Sequence, residues 1–278
     1  MSQISYLWQV VNRLLFNGLT GNAHTFKRDT ILSIKRRGNQ MDLPSLRRET
    51  RYGMPAADQV MFNRHYVLGY SYYFRQAKWA LEIVDADNQG VKRLDNFRPD
   101  YRIPDMFRAD LVDYNDSGYD RGHLVSSANQ HETELQNSET FLLSNMSPQK
   151  PQFNREIWGE LESRVRTLNE NPKVFEVYVI CGPVFYFDQP VKRIGREDDN
   201  EVTIPIPHAY FKSILAETNT GALKMWSFVL PNEEIKEPIE SFLVKTSLVE
   251  RLTGIKLWER LVGKKIDKEK NKIREIWK

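Results

Sequence analysis

Strand-like segments dominate this chain, and they do not alternate with helical segments. Runs rich in aromatic and β-branched residues predict strands at 65–73, 78–84, 174–180, 202–215 and 225–230. A short apolar strand is also predicted at 139–145, followed by a loop to Pro151. Residues 154–168 form a long amphipathic helical pattern, and 247–252 predict a short helix closed by Gly254. Because parallel sheets require alternating strands and helices, we expect an α+β fold with a central, mostly antiparallel sheet flanked by helices.

Composition and charge exclude little. The 278 residues can bury a substantial core, and the net charge of +3 is compatible with an anionic partner without requiring one. The single cysteine, Cys181, excludes an internal disulfide framework. Neither CxxC nor HExxH occurs, which argues against the common zinc sites.

The chain divides by composition into three parts. Residues 1–50 predict an extension with an amphipathic helix and then a basic stretch, which we interpret as a solvated linker that includes Arg47 and Arg48. Residues 51–262 form the main domain, and the lysine-rich tail at 263–278 predicts a surface helix. Polar residues interrupt the first segment, so it reads as neither a signal peptide nor a membrane span. We therefore expect an intracellular, cytoplasmic protein, or a mitochondrial one if it is eukaryotic and processed, with no membrane partner.

The segment 118–123, with the sequence GYDRGH, places an acid, a cation and a base within four residues. These are Asp120, Arg121 and His123. A neutral imidazole can accept a proton from water near physiological pH. We expect Gly122 to let the backbone turn tightly before the histidine. A lone histidine in a turn more often serves only as a hydrogen-bonding group, so the motif by itself leaves both interpretations open.

The helical pattern offers a complementary set of side chains. Because four residues advance about 400° around a helix, residues spaced by four form one slowly drifting stripe. That stripe contains Asn154, Trp158, Glu162 and Arg166, and an apolar stripe beside it contains Ile157, Leu161, Val165 and Leu168. The helix can bury one stripe and present the other to a cleft. An amide oxygen, a carboxylate and a guanidinium suit a magnesium-type ion and a phosphate, although an ordinary amphipathic helix would show the same pattern.

The motif Asp120-Arg121-Gly122-His123 resembles the signature of the DNA/RNA non-specific endonucleases, endonuclease G among them. These enzymes are built on the ββα-metal, or His-Me, finger. The resemblance extends over most of residues 52–255. It is carried by DNFRPD at 95–100, SGY at 117–119, TFLLSNMSPQ at 140–149, the helix from Asn154 to Glu162, GP at 182–183 and VTIP at 202–205. It implies that the His-Me finger forms the active site of the predicted sheet protein.

The resemblance also implies roles for single residues. His123 corresponds to the general base that activates water. Asn154 corresponds to the one direct side-chain ligand of Mg²⁺ or Mn²⁺. Glu162 and Asp120 correspond to residues that act on the ion through water or orient their neighbours.

Arginines and supporting residues complete the implied site. Arg121, Arg166 and Arg93 resemble the arginines that contact phosphate, although Lys92 and Arg98 compete with Arg93 for that assignment. Asn145 and Trp158 are expected to support the site.

The implied function is metal-dependent hydrolysis of DNA, with RNA as a second candidate substrate, to 5′-phosphate and 3′-hydroxyl ends. The implied partners are nucleic acid and a second copy in a homodimer. Because an intracellular non-specific nuclease would threaten its host, we expect an inhibitor or regulatory partner that acts through residues 1–50, as in a defence or toxin-like effector. The alternatives are a catalytically silent nucleic-acid-binding protein of the same fold, or a docking protein that uses the aromatic strands. Intact His123, Asn154 and Glu162 argue against the silent protein.

Overall fold

The fold is that of a computed structural model, which describes residues 47–84, 90–195 and 203–277. These residues belong to one compact unit, Pro44–Lys278. The helix and most of the basic stretch predicted for residues 1–50 lie outside the described residues. Within the described part of the chain, no helix is both long and apolar enough to cross a membrane.

Strands and helices follow one another without regular alternation. The strands are β1 (Gln59–Phe62), β2 (Tyr66–Ser71), β3 (Gln76–Ile83), β4 (Asp120–His123), β5 (Met146–Gln149), β6 (Val174–Val184), β7 (Arg193–Ile194), β8 (Ile204–Pro205), β9 (Ala209–Thr218), β10 (Leu223–Pro231) and β11 (Leu243–Val244). The helices are α1 (Leu111–Tyr114), α2 (Glu134–Glu139), α3 (Pro151–Phe153), α4 (Gly159–Asn169), α5 (Thr246–Thr253) and α6 (Lys264–Lys270). Short 3-10 turns lie at Asp105–Phe107, Ser127–Asn129, Leu143–Asn145 and Ile239–Phe242.

Seven strands form the central sheet, in the order β1-β2-β3-β6-β9-β10-β11. Every neighbouring pair in it is antiparallel. The predicted antiparallel α+β architecture is therefore confirmed, and so is the pairing of the strands predicted at 65–73 and 78–84. Strands β4 and β5 form a separate two-stranded ladder, as do β7 and β8.

The central sheet buries both faces. Successive strand residues point to opposite sides, so Tyr66 and Leu68 join one core while Val67 joins the other. The predicted apolar stripe of the long helix, Ile157 to Leu168, packs into the first core. Helix α5 contributes Val249 to the second core and ends at Gly254, whose φ of 69° lies in the left-handed region that favours glycine.

The long helix begins earlier than predicted and contains an irregular turn. Residues 151–169 are helical throughout, but Asn154–Trp158 forms a π turn between α3 and α4. A π turn adds one residue to an α-helix and occurs often at functional sites. The regular stripe expected from α-helical geometry therefore does not hold for this turn. Trp158, which we expected on the presented stripe, is buried at 1% exposure.

The region before this helix also differs from the prediction. No strand forms at Phe141–Leu143: Phe141 and Leu142 follow α2, Leu143 begins a 3-10 turn, and Leu142 makes a single bridge to Arg98. The true strand is β5, where we expected a loop. The prediction took the apolar residues just before β5 for a strand. Phe141 and Leu143 are buried in the core, and this burial, not pairing in a sheet, explains why they are apolar.

Both ends of the described chain pack onto the domain. Arg47 and Arg48, expected in a solvated linker, form ion pairs with Glu49 and Glu176. The tail does contain helix α6, as expected, but it is not confined to the surface. The indole of Trp277 donates to the carbonyl of Arg164 on α4 at 2.7 Å.

Candidate active site

The motif 120–123 is a strand and not a turn. Strand β4 pairs antiparallel with β5, and Gly122 lies opposite Ser147. The expectation that Gly122 makes a tight turn is wrong. Glycine is needed there because a Cβ at position 122 would lie 2.0 Å from Oε1 of the buried Gln149.

Polar contacts of β5 attach this ladder to the central sheet. The hydroxyl of Ser147 in β5 donates to Oε1 of Gln76 in β3 at 2.5 Å and lies 2.7 Å from the hydroxyl of Tyr210 in β9. The Tyr210 hydroxyl also donates to the carbonyl of Pro148 at 2.8 Å. The motif is thus fixed to the rigid sheet through its partner strand.

His123 lies among aromatic rings. The centroids of Phe97 and Phe141 lie 5.7 and 5.0 Å from the imidazole centroid, both edge-on. The Nε2 atom is buried and has no hydrogen-bond partner in the part of the chain that the structure describes. The carbonyl of His123 accepts a hydrogen bond from the indole of Trp158 at 3.2 Å. This bond joins the predicted base directly to the predicted metal-binding helix.

Burial lowers the pKa of His123 to about 3, and the positive charge of Arg93 lowers it further. The imidazole is therefore neutral at physiological pH, and an unpartnered ring nitrogen can accept a proton. The aromatic pocket is the main physical cause, because the charged form would lose its hydration there.

Two arginines stack on the rings beside His123. The guanidinium of Arg121 lies 4.3 Å from the ring centroid of Phe97, and that of Arg93 lies 4.9 Å from the ring centroid of Phe141. The competing cation Arg98 is instead used by the fold, since it donates to the carbonyls of Asn96 and Ser138.

Asp120 holds the start of the π turn. Its Oδ2 accepts from Nδ2 of Asn154 at 2.9 Å, and its two oxygens accept from Arg155 at 2.9 and 2.8 Å. The nitrogen of the Asn154 amide donates a hydrogen bond to Asp120. The amide oxygen, Oδ1, is therefore the atom left for a cation. The sequence prediction brought Asp120 and Asn154 into one site but missed Arg155.

Glu162 lies on α4, one turn beyond Trp158. Its Oε1 is 3.9 Å from Nζ of Lys212, a buried lysine on β9. The same ammonium lies 4.1 Å from the ring centroid of Trp158. Lys212 thus contacts the carboxylate of Glu162 from the central sheet. The sequence analysis did not identify this lysine.

Arg166 contacts a different part of the fold. Its Nη1 donates to Oδ1 of Asn129 at 3.2 Å, in the 3-10 turn that follows the motif. Arg93 contacts the same turn, because its Nη1 donates to the hydroxyl of Ser127 at 3.0 Å. The structure therefore links Arg93 and Arg166 through one short turn.

Asn145 holds the chain just after His123. Its Oδ1 accepts from the backbone N–H of Val125, and its Nδ2 donates to the carbonyls of Val125 and Thr140. Its own carbonyl accepts from the N–H of Leu124 at 3.0 Å. All polar groups of this side chain are used by the backbone, so Asn145 fixes the loop that carries the histidine.

The donor set fits a hard divalent cation that keeps most of its water. Among the residues that the structure describes, no three His, Cys, Asp or Glu side chains form a group that could hold a metal ion. Asn154 offers an amide oxygen fixed in orientation by Asp120, and Glu162 offers a carboxylate on the same helix. Oxygen donors in small number suit Mg²⁺ or Mn²⁺ and do not suit a zinc site.

Comparisons with known proteins agree with this arrangement. The DNA/RNA non-specific endonuclease family model matches residues 45–263. Mitochondrial endonuclease G of Caenorhabditis elegans is 34% identical over 230 residues, which cover 79% of this chain and 74% of the relative. The human mitochondrial endonuclease G is 32% identical over 220 residues, covering 74% and 71%. Nuclease C1 of Cunninghamella echinulata var. echinulata is 34% identical over 227 residues, covering 76% and 87%.

A solved structure supports the same conclusion. A crystal structure described as the EndoG/EndoGI complex, which concerns the mechanism of EndoG inhibition, matches with a TM-score of 0.71 and 33% identity. The match covers 81% of this chain and 95% of that one. The order of the motifs, the fold and the matched length together lead to one conclusion: this chain belongs to the DNA/RNA non-specific endonuclease family.

Proposed function

We propose that this protein is a metal-dependent endonuclease that hydrolyses phosphodiester bonds of DNA and RNA without sequence specificity, leaving 5′-phosphate and 3′-hydroxyl ends. The observation that carries the proposal is the state of His123. Its ring is neutral, and its carbonyl accepts a hydrogen bond from the helix that bears Asn154. A base and an oxygen ligand on adjoining elements suit water attack on phosphate.

His123 is the general base of this proposal. The attacking water donates its proton to the ring nitrogen while its oxygen attacks phosphorus. A pKa far below neutrality keeps nearly all molecules in the accepting form, although it also makes the ring a weaker base. The aromatic walls made by Phe97 and Phe141 limit the water that can compete for this nitrogen.

Asn154 would hold Mg²⁺ or Mn²⁺ directly, and Glu162 would contact it through water. Asp120 keeps the amide in the required orientation by accepting its N–H. When bound, the ion would stabilise the negative charge that develops on the phosphate and on the leaving oxygen. Lys212, whose Nζ lies 3.9 Å from Oε1 of Glu162, would hold this carboxylate in place beside the ion.

Arg93, Arg121 and Arg166 would bind the phosphate backbone. Guanidinium groups match phosphate oxygens with paired donors, and such contacts carry no direct information about bases. We therefore expect little base specificity. Binding should weaken steeply with salt, because each neutralised phosphate releases counterions.

A plasmid-nicking assay with Mg²⁺, Mn²⁺ or EDTA tests the proposal. Wild type should nick in the presence of either metal and not in EDTA. His123→Ala should abolish cleavage while gel-shift binding of the same DNA persists, and Asn154→Ala should lower the rate and its metal response together. His65→Ala, a matched control outside the site, should cleave as wild type does. Wild-type rates for His123→Ala would refute the assignment of the base.

The same assay separates the alternative function. A silent nucleic-acid-binding protein would shift the DNA in a gel but cleave it under none of the metal conditions. The neutral ring of His123 and the fixed Asn154 amide favour the enzyme.

Assembly and location complete the proposal. We expect a homodimer, which light scattering after size-exclusion chromatography tests, and an inhibitor that acts through residues 1–50, which removal of those residues tests. Relatives described as mitochondrial support an intracellular location as the working assignment. Fractionation of the source cells measures it directly.

A further inference from the structure

The 3-10 turn Ser127–Asn129 receives two of the proposed phosphate-binding arginines. Arg93 donates to the hydroxyl of Ser127 at 3.0 Å, and Arg166 donates to Oδ1 of Asn129 at 3.2 Å. These arginines come from distant parts of the chain. The turn therefore fixes the position of one guanidinium group relative to the other.

The turn has two backbone hydrogen bonds of its own, from the N–H groups of Asn129 and Gln130 to the carbonyls of Ser126 and Ser127. A buried carboxylate on the central sheet adds further support. Glu82 on β3 is 2% exposed, and its Oε1 accepts from Nδ2 of Asn129 at 3.0 Å. Its Oε2 accepts from Nε2 of Gln130 at 3.1 Å. Asn137 adds hydrogen bonds to the carbonyls of Ser127 and Gln130.

Hydrogen-bond polarity fixes the Asn129 amide in one orientation. Arginine has donors and no acceptor, so the oxygen of Asn129 must face Arg166. The nitrogen must then face an acceptor, which the carboxylate of Glu82 supplies. A rotated amide would set a donor against the donors of Arg166 and an acceptor against the acceptors of Glu82. The hydrogen bonds of Glu82, Asn129 and Arg166 therefore all point one way, with each donor facing toward the sheet.

A second branch from the same carboxylate runs through two glutamines. Gln130 donates to Glu82, and its Oε1 accepts from Nε2 of Gln136 at 2.7 Å. Both glutamines are buried. This branch shares the burial, the carboxylate partner and the amide chemistry of the Asn129 branch, but it contacts no arginine of the site.

We propose that Asn129, held by the buried carboxylate of Glu82, is a positioning residue that orients the guanidinium of Arg166 toward the nucleic-acid backbone. The inference rests on the proposed function, in which Arg166 binds phosphate. Asn129 acts through Arg166 and touches no substrate. Its removal must therefore matter only while Arg166 is present.

A double-mutant cycle on cleavage of a short duplex tests this dependence. Asn129→Ala should lower kcat/KM roughly tenfold, since a hydrogen bond to a charged group is of that order. Arg166→Ala should lower it at least as much. In the Arg166→Ala background, Asn129→Ala should add less than about twofold, because residues in one chain of contacts are not additive. Asn129→Leu, which keeps the branched shape of the side chain but not its hydrogen bonds, replaces Asn129→Ala if that variant does not fold.

Gln130→Ala is the matched control, since it removes the other hydrogen bond to Glu82. It should lower the melting temperature about as much as Asn129→Ala and leave kcat/KM within about twofold of wild type. Salt dependence gives a second readout. Asn129→Ala and Arg166→Ala should both flatten the plot of log kcat/KM against log salt concentration, and Gln130→Ala should not.

The possible results separate the two ideas. A wild type that does not cleave defeats the proposed function itself. If the wild type cleaves, full additivity of the two substitutions, or equal loss of kcat/KM in Gln130→Ala, overturns the positioning role of Asn129.

Discussion

The neutral state of His123 should couple the stability of the protein to pH. The pKa of this ring falls from 6.5 to about 3 on folding, mainly because it is buried between aromatic rings. Between those values the unfolded chain binds a proton that the folded protein does not bind. The folded-state pKa is lowered, so the stability is fully present above pH 6.5 and is lost as the pH falls toward 3.

The magnitude follows from the shift. A pH of 5 is about 1.5 units below the pKa of the unfolded histidine, so that ring is protonated, while the folded ring stays neutral. At about 1.36 kcal/mol per unit, the folded state loses roughly 2 kcal/mol relative to pH 7.5. Replacing the ring with a group that does not titrate, as in His123→Asn, should remove this loss.

Urea unfolding of wild type and of His123→Asn at pH 7.5 and pH 5 measures this loss of unfolding free energy. All other ionisable groups are common to both proteins, so their contributions cancel in the difference. Wild type should lose about 2 kcal/mol more than the variant between the two pH values. Equal losses within about 0.5 kcal/mol would show that the folded imidazole is protonated at pH 5, and the argument that burial lowers its pKa would fail.

Three further predictions concern the packing around the site. Gly122→Ala should cost about 1–3 kcal/mol in urea unfolding, because its Cβ would overlap the side chain of Gln149, and Gln149→Ala combined with it should restore part of that loss. Arg155→Ala should leave the urea midpoint nearly unchanged, although it removes two hydrogen bonds to Asp120, because the arginine is 69% exposed; a large fall of the midpoint would contradict this. Trp277→Ala should cost roughly 2 kcal/mol, since its ring packs on the first core and its indole bonds to α4, and an unchanged urea midpoint would mean that the tail does not contribute.

The central sheet could be predicted because its strands are long and apolar. The ladder that bears the motif could not, because DRGH and MSPQ are four-residue strands that contain glycine and proline, both poor strand formers. They pair because Ser147 is bonded to Gln76 and Tyr210, which lie far away in the sequence. Tertiary contacts override local propensity in this place.

The site was predictable as a set of residue types but not as an electrostatic environment. Spacing and resemblance brought His123 and Asn154 together, yet the pKa of the histidine depends on Phe97 and Phe141, which come from separate segments. Lys212 had a signal that went unused, because a lysine inside an apolar strand is rarely buried without a partner. The roles of all the site residues, His123 and Asn154 among them, stay predictions until the variants are measured.

The π turn at Asn154–Trp158 limits how the long helix can change in length. Deleting one residue of this turn would restore a plain α-helix and swing Asn154 by about 100° relative to Glu162. The chain would still fold as a helix, and its apolar face would still pack, but the amide would no longer face Asp120. Relatives should therefore tolerate insertions and deletions before Pro151 or after Asn169. A relative that lacks one residue within the turn should fold but should not act as a nuclease.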